Sequence, residues 1–414
     1  MTYFNAVKYI RSAPVGKKER RDEILTLLGA LGNPHKRIKY IRLAGSNGKT
    51  VCAEMLLSVL SHAGYQIGCL RMPIREEPRE NICIGKNAIS MEEFCEHINA
   101  VKHIVSSKDQ EEESNLPLPT AAETLLAAAL LSFQKHKCDI CIIESDHFGE
   151  DPSRWLPPPF AAVICGTIPS GDNKEISRIR SYICRGIQEI ISAPQDTEAY
   201  RIISDTCYSI NCRLTLPLRT SIEVTKLSFS GTQFSYKGTD YTMKLCGRFQ
   251  VSNAVLALEV LEMLKRKGFK ITAQSVEYGL STLKIPAKFE IVSISPLIIV
   301  DSTPTPIAIN TVCDALAEFR DQMGESIRLC LPDDTLASQY VRALTERQYN
   351  IESVLVPDTV LDPNVKPTLT ERKAKKAFIK KCLLDLNNNT VLIVSGDYPF
   401  VNPIRYELLA TMGF

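Results

Sequence analysis

The chain has 414 residues, of which 44% are hydrophobic and 23% charged, enough for a sizeable core and for two or three domains. A formal charge of +2 gives no electrostatic reason for a nucleic-acid or membrane-surface partner, and no apolar run reaches the roughly 18 residues of a membrane span. Fourteen cysteines without a secretory h-region point to a reducing cytoplasm, not a disulfide framework. Basic clusters at 16–21 ("GKKERR") and 371–376 ("ERKAKK") read as solvated helix faces.

From the N-terminus, "KYIRLAG" reads as a strand, "KTVCAEMLLSVLSHAG" as a helix with Gly64 past its end, and "YQIGCL" as the next strand. "SMEEFCEHINAVKHIV" opens on the capping-box pattern Ser90-x-x-Glu93, and "TAAETLLAAALLSFQKH" on Thr120-x-x-Glu123. The polar, acidic segment between them (106–119) reads as a surface loop. "CDICIIES" and "FAAVICG" are continuous apolar runs, as expected of parallel strands covered on both faces. The CxxC pair Cys138 and Cys141 lies on the first of these and reads as core packing. Period-two patterning with "SGTQ" and "KGTD" turns over 214–246 predicts a small antiparallel patch. Helices resume at "QVSNAVLALEVLEMLKRKG" and "TAQSVEYGLSTL". After Pro286, strand–helix alternation restarts and continues through a long helix over 369–386 to the strand "TVLIVSG".

The expectation is therefore an α/β chain with a boundary near residue 293. Residues 1–293 form a parallel-sheet phosphate-binding domain with an antiparallel patch, and 294–414 a smaller Rossmann-like α/β domain.

The stretch "IRLAGSNGKTVCAEM" carries the chemistry. A strand runs into the loop Gly45, Ser46, Asn47, Gly48, and then into a helix opening on Lys49 and Thr50. Loop amides and a helix N-terminus aimed at one point make an anion cradle, to which Lys49 adds a compact charge and Thr50 a hydroxyl within reach of a magnesium ion. Leu43 stands where an eight-residue P-loop has its first glycine, so this is the shorter variant. The same residues also fit a glycine turn before an ordinary helix, and phosphate binding by itself names no reaction.

With these residues in view, the chain resembles the folylpolyglutamate synthase and dihydrofolate synthase branch of the Mur ligase superfamily. "LAGSNGKTV" is similar to that family's P-loop, "NICIGKNAISMEEF" to its "INGxxIS…F" segment, and "CDICIIES" to the strand ending in its metal-binding glutamate, here Glu144. "LCGRFQVSNAVLALEVLEML", "KIPAKFEIV" and "LIIVDSTPTPIAI" resemble later motifs in the same order, keeping Gly247, Gln250, Asn253, Asp301 and Pro306. The resemblance implies a ligase that uses ATP and Mg2+ to activate a folate-like carboxylate as an acyl phosphate, which the amine of glutamate or a similar amino acid attacks. It assigns Lys49 to the β- and γ-phosphates, Thr50 and Glu144 to magnesium, and Asn253 to the neighbourhood of adenine. Lys288, in the family's arginine position, and Asp301 close on the nucleotide from the domain interface. Small molecules are the partners implied, and monomer is the default.

The pattern also breaks. Met72 stands where the family has a magnesium-binding serine, Cys184 at its modified lysine and Pro304 at a histidine; none of the six histidines lies beyond residue 147. Asp146 and His147, directly after Glu144, are candidates to rebuild a metal site or else belong to a solvated loop, and Asp172 is a similar candidate. A catalytically inactive relative that binds nucleotide or a protein partner is the alternative these losses suggest. The "DPSRWLPPPF" stretch, with the single Trp155, is then a recognition loop or a plain packed one. A P-loop kinase or hydrolase is a third class, opposed by the second α/β unit.

Overall fold

The computed structural model describes residues 1–14, 20–45, 47–108, 117–145, 151–168, 171–183, 186–302, 305–357 and 377–412. They divide into two units, Met1–Leu218 with Asn253–Gly279, and Arg219–Ser252 with Leu280–Phe414.

The first unit is built on an eight-stranded sheet of order β4-β3-β2-β5-β1-β6-β7-β8. Its strands are β1 (Tyr40–Ala44), β2 (Ile67–Leu70), β3 (Ile82–Ile84), β4 (Asn87–Ala88), β5 (Ile140–Glu144), β6 (Ala161–Ile164), β7 (Glu189–Ser192) and β8 (Arg213–Thr215). All pairings are parallel except β2–β3 and β3–β4. The central strands are buried end to end, as their unbroken apolar runs demand. Strand order turns about β1, with β5 on one side and β6 on the other. The carboxyl end of β1 is therefore a topological switch point, where α/β sheets place ligands.

Helices α1 (Tyr3–Arg11), α2 (Arg21–Ala30), α4 (Met91–Lys108) and α5 (Ala121–Lys135) contribute to one apolar cluster. Helices α6 (Asn173–Tyr182) and α7 (Thr197–Ser209) contribute to another with β6 and β7. Between α2 and α4 in sequence, α3 (Lys49–His62) follows β1 directly. Thr120 forms the full capping box with Glu123 at the start of α5. At α4 only half of the expected box forms: Ser90 Oγ accepts from Glu93 N–H, while the Glu93 carboxylate turns to Ser132, His97 and His136. Two histidines and a hydroxyl outcompete one backbone amide.

Trp155 ends a short 3-10 turn and packs partly buried against the α1–α5 cluster, with the Arg154 guanidinium 4.3 Å from its ring centroid, as a packed loop requires. The fully buried Arg42 of β1 holds this turn by donating to Ser153 O. Cys141 is buried in β5, while Cys138, just before the strand, is partly buried and packs against the core.

The second unit holds an antiparallel sheet, β9 (Ile222–Ser228), β10 (Gly231–Tyr236) and β11 (Thr239–Met243). It also holds a five-stranded sheet of order β12-β13-β16-β14-β15, comprising β12 (Glu290–Ile294), β13 (Leu297–Asp301), β14 (Ser326–Cys330), β15 (Asn350–Leu355) and β16 (Thr390–Ser395). Only β12 runs antiparallel. Helices α8 (Arg248–Arg266) and α9 (Ala273–Ser281) are divided between the units. Helices α10 (Pro306–Glu318), α11 (Asp334–Glu346) and α12 (Tyr398–Met412) belong wholly to the second.

The structure differs from the single boundary expected near residue 293, which falls inside the β12–β13 hairpin. The antiparallel patch groups with the second unit because Phe229 and Cys246 enter that unit's core, where Phe229 stacks on Phe319 at 4.5 Å between centroids. Local patterning names the strands but not the core that receives them. The expected helix over 369–386, both basic clusters and most of the 106–119 loop fall wholly or partly outside the described residues. Among the described residues, no helix is long and apolar enough to cross a membrane.

Candidate functional site

The loop after β1 is shaped by two glycines with positive φ. Gly45 has φ +110° and Gly48 φ +81°. A Cβ on Gly45 would lie 2.0 Å from the Cys165 carbonyl oxygen at the end of β6, and one on Gly48 would lie 2.4 Å from Asn253 Oδ1. The loop is thus enclosed by backbone on one side and by Asn253 of α8 on the other. Ser46 lies outside the described residues, and Asn47 is half-buried.

Helix α3 begins at Lys49 with no side-chain cap, so its first amides and its positive dipole end are available to an anion. Lys49 is buried, and its Nζ donates to Gly45 O at 2.5 Å. One position on, Thr50 Oγ1 donates to Glu144 Oε2 at 3.2 Å. Glu144 is 1% exposed at the end of β5, and among the described residues its Oε1 has no hydrogen-bond partner. Burial pushes its carboxyl pKa up; Arg71 most strongly, then Lys49 and Arg75, pull it back.

A buried carboxylate oxygen without a donor, beside a hydroxyl at the first turn of the helix that follows the glycine loop, is a pair of hard oxygen ligands. That donor set fits Mg2+, whose remaining positions phosphate oxygens and water would fill. It does not make a complete cage: among the described residues, no three His, Cys, Asp or Glu side chains converge to hold a metal. Met72 is buried beside the site and offers only a thioether. Asp172 has a visible structural task, capping α6 by accepting from Glu175 N–H at 3.0 Å. Asp146, His147, Cys184 and Pro304 lie outside the described residues.

In the second unit Asp301 ends β13, buried, and its Oδ1 accepts from Phe289 N–H at 2.9 Å. Ser302 N–H donates to Ala287 O at 2.8 Å. These bonds hold the 287–289 turn, in which Ala287 and Phe289 both have positive φ, and fix the backbone of Lys288, whose carbonyl accepts from Gln250 Nε2 at 3.5 Å.

Sequence reasoning missed the support of the 71–75 segment. Asn81 is fully buried; its Nδ2 donates to Arg71 O (2.7 Å) and Pro73 O (2.8 Å), and its Oδ1 accepts from Arg75 N–H (2.9 Å). It also missed Arg71, whose guanidinium pairs with Glu54 of α3 and lies 2.8 Å from Cys83 Sγ. The signal available was a lone charge at the end of an apolar strand, in "IGCLRMP".

No family model matches the chain. Among curated proteins it is 25% identical over 433 residues to the folylpolyglutamate synthase of Lacticaseibacillus casei, covering 99% of both. Among solved structures, a folylpolyglutamate synthase from Thermotoga maritima matches with a TM-score of 0.80 at 22% identity, covering 100% of this chain and 97% of that one. A complex of such a synthase with AMPPCP and folate matches with a TM-score of 0.79 at 23% identity, covering 99% and 100%. The structural matches establish the α/β fold; the full-length sequence match establishes the homology.

Proposed function

Because the chain is homologous over its full length to the folylpolyglutamate and dihydrofolate synthases, we propose that it is an ATP-dependent carbon–nitrogen ligase joining glutamate or a similar amino acid to a folate-like carboxylate. The observation that carries this reading is the hydrogen bond from half-buried Thr50 to buried Glu144 at the first turn of the loop-following helix. A carboxylate kept at 1% exposure with an orphan oxygen costs stability unless a ligand repays it.

In this reading the amides of 45–50 and the start of α3 cradle the phosphates. Lys49 exchanges Gly45 O for the β- and γ-phosphates. Thr50 and Glu144 would hold Mg2+, which when bound would neutralise charge on the phosphate oxygens. An acceptor carboxylate oxygen takes the γ-phosphoryl group and ADP leaves. The amino-acid nitrogen then attacks the acyl carbon, loses a proton and expels phosphate, forming the amide. Positioning and charge neutralisation supply most of the rate. By the same homology, Asn253 serves the adenine side, and Lys288 and Asp301 act on the nucleotide. A cytoplasmic monomer is the accompanying assignment, which light scattering tests for its oligomeric part.

The test is ADP release measured with and without a tetrahydrofolate and glutamate. Turnover dependent on both, abolished in Lys49→Ala and Glu144→Ala, is the expected result. ATP binding with no substrate-dependent ADP release would overturn the ligase assignment and leave a nucleotide-binding relative.

A further inference from the structure

We propose that Gln195 is a positioning residue for the nucleotide: from the end of β7 its carboxamide holds the backbone wall against which the glycine loop after β1 is seated, so that ATP affinity depends on a side chain two strands away from β1. The inference rests on reading that loop as a phosphate cradle, and it names a residue that no motif singles out.

The wall is made of backbone. β6 runs parallel beside β1 with Ala44 in register with Ile164, and the two residues that follow β6 meet the loop. A Cβ on Gly45 would lie 2.0 Å from Cys165 O, and a Cβ on Gly166 3.2 Å from Asn47 O. Approach this close leaves no room for a side chain on either glycine, and Gly166 adopts φ +76°. Beyond Cys165 the chain has left the sheet ladder, and its polar groups need other partners. Gln195 supplies two of them. Its Oε1 accepts from Ile168 N–H at 2.9 Å, and its Nε2 donates to Gly166 O at 3.0 Å. The same Nε2 donates to Ser192 Oγ at 3.1 Å and Ala193 O at 3.0 Å. The carboxamide therefore ties this turn to the end of β7, where Ala193 N–H donates to Ile164 O at 2.8 Å. Thr167 Oγ1 adds a bond to Pro194 O at 2.9 Å.

A carboxamide suits this task because it presents an acceptor and two donors on one rigid plane, with no charge to desolvate. A carboxylate of the same shape keeps the acceptor and loses the donors. An anion cradle works by several N–H groups converging on one point. Because the wall is backbone in direct contact with the loop, a shift of Gly166 passes to Asn47, and one of Cys165 to Gly45. The loop amides then lose their common aim while the fold stays intact, which makes the support of the wall a determinant of affinity.

The test is calorimetric: the Kd of ATP in excess Mg2+ for wild type, Gln195→Met, Gln195→Glu and Ile203→Ala, at a temperature where circular dichroism shows each folded. Gln195→Met keeps the length of the side chain and removes its bonds. Its Kd is expected to rise about tenfold, the usual effect of losing a group that orients a binding group. Gln195→Glu, isosteric but without donors, is expected to weaken binding by a similar factor. Ile203→Ala opens a cavity in the α6–α7 core, lowers stability without touching the wall, and should leave the Kd within about twofold of wild type. A merely structural role for Gln195 lowers stability and leaves affinity alone, so a wild-type Kd in folded Gln195→Met overturns the proposal. An equal rise in Ile203→Ala overturns it too. Should Gln195→Met not fold, Gln195→Glu carries the comparison by the same criterion. Wild type that binds ATP without substrate-dependent ADP release refutes the ligase reading and leaves this inference to be decided by the variants' Kd. Wild type that binds no ATP refutes both.

Discussion

Gly45→Ala and Gly48→Ala make a matched pair: each places one methyl group in the phosphate loop at a positive φ, but against different neighbours. A Cβ at φ +110° in Gly45→Ala costs about 1–2 kcal/mol from backbone alone. That Cβ also lies 2.0 Å from the Cys165 carbonyl oxygen and 3.0 Å from its N and C. Those atoms cannot rotate away, because Cys165 N–H is bonded to Ala44 O at 2.8 Å, at the end of the β1–β6 pairing. Relief breaks that bond or splays the strands, about 2–3 kcal/mol more. The total is about 3–5 kcal/mol. At Gly48 the conformational cost is about 1 kcal/mol, and the clash at 2.4 Å is with a side-chain oxygen of Asn253 that can turn aside. Thermal unfolding followed by circular dichroism separates the two. Gly45→Ala loses roughly 8–15 °C and Gly48→Ala roughly 2–5 °C, by the scaling for units of this size. Calorimetry should find nucleotide affinity reduced in both. Equal losses of stability, or a Gly45→Ala protein as stable as wild type, would refute the claim that the end of β6 walls the loop.

Glu144→Gln should raise the unfolding midpoint of the metal-free protein at neutral pH while reducing the effect of Mg2+ on ATP affinity. Burial raises this carboxyl's pKa in the fold, so its ionised form costs stability at neutral pH, and the advantage of Gln shrinks as pH falls toward the ordinary carboxylate value. His97 has the opposite dependence. Burial lowers its pKa, with Glu93 opposing, so the unfolded chain binds its proton more readily. Stability is full above the ordinary histidine pKa and falls as pH drops through it, by up to about 1.4 kcal/mol per pH unit. Urea denaturation between pH 8 and pH 5.5 should show this slope reduced in His97→Gln, with the part due to His35, also lowered by burial, remaining. A slope that does not change would contradict the assignment. Asn81→Ala removes three bonds to the 71–75 backbone and should cost about 2–4 kcal/mol. Its exchange protection should fall first at the Arg75 amide; loss spread evenly over the unit would argue against a local clamp.

The parallel strands were legible because burial on both faces leaves no place for polar residues, which is why "CDICIIES" and "FAAVICG" could be read without periodicity. The glycine loop between β1 and α3 was legible because its glycines and Lys-Thr pair are contiguous. Only the resemblance singled out Glu144; its burial at the end of β5 with an unbonded oxygen among the described residues is a property of the fold.

Sequence alone determined which stretches become strands and helices, and that a glycine loop joins β1 to α3, because those properties depend on neighbours a few residues away. Tertiary structure alone decided that Phe229 joins the second unit's core, that Asn253 stands against Gly48, and that Leu70 at the end of β2 lies in register with Ile143 of β5. Each of these joins residues separated by 73 to 205 positions, or assigns a segment to one of two cores. Contacts at such separations are set by how the buried surfaces pack together, a property no local window of the chain contains.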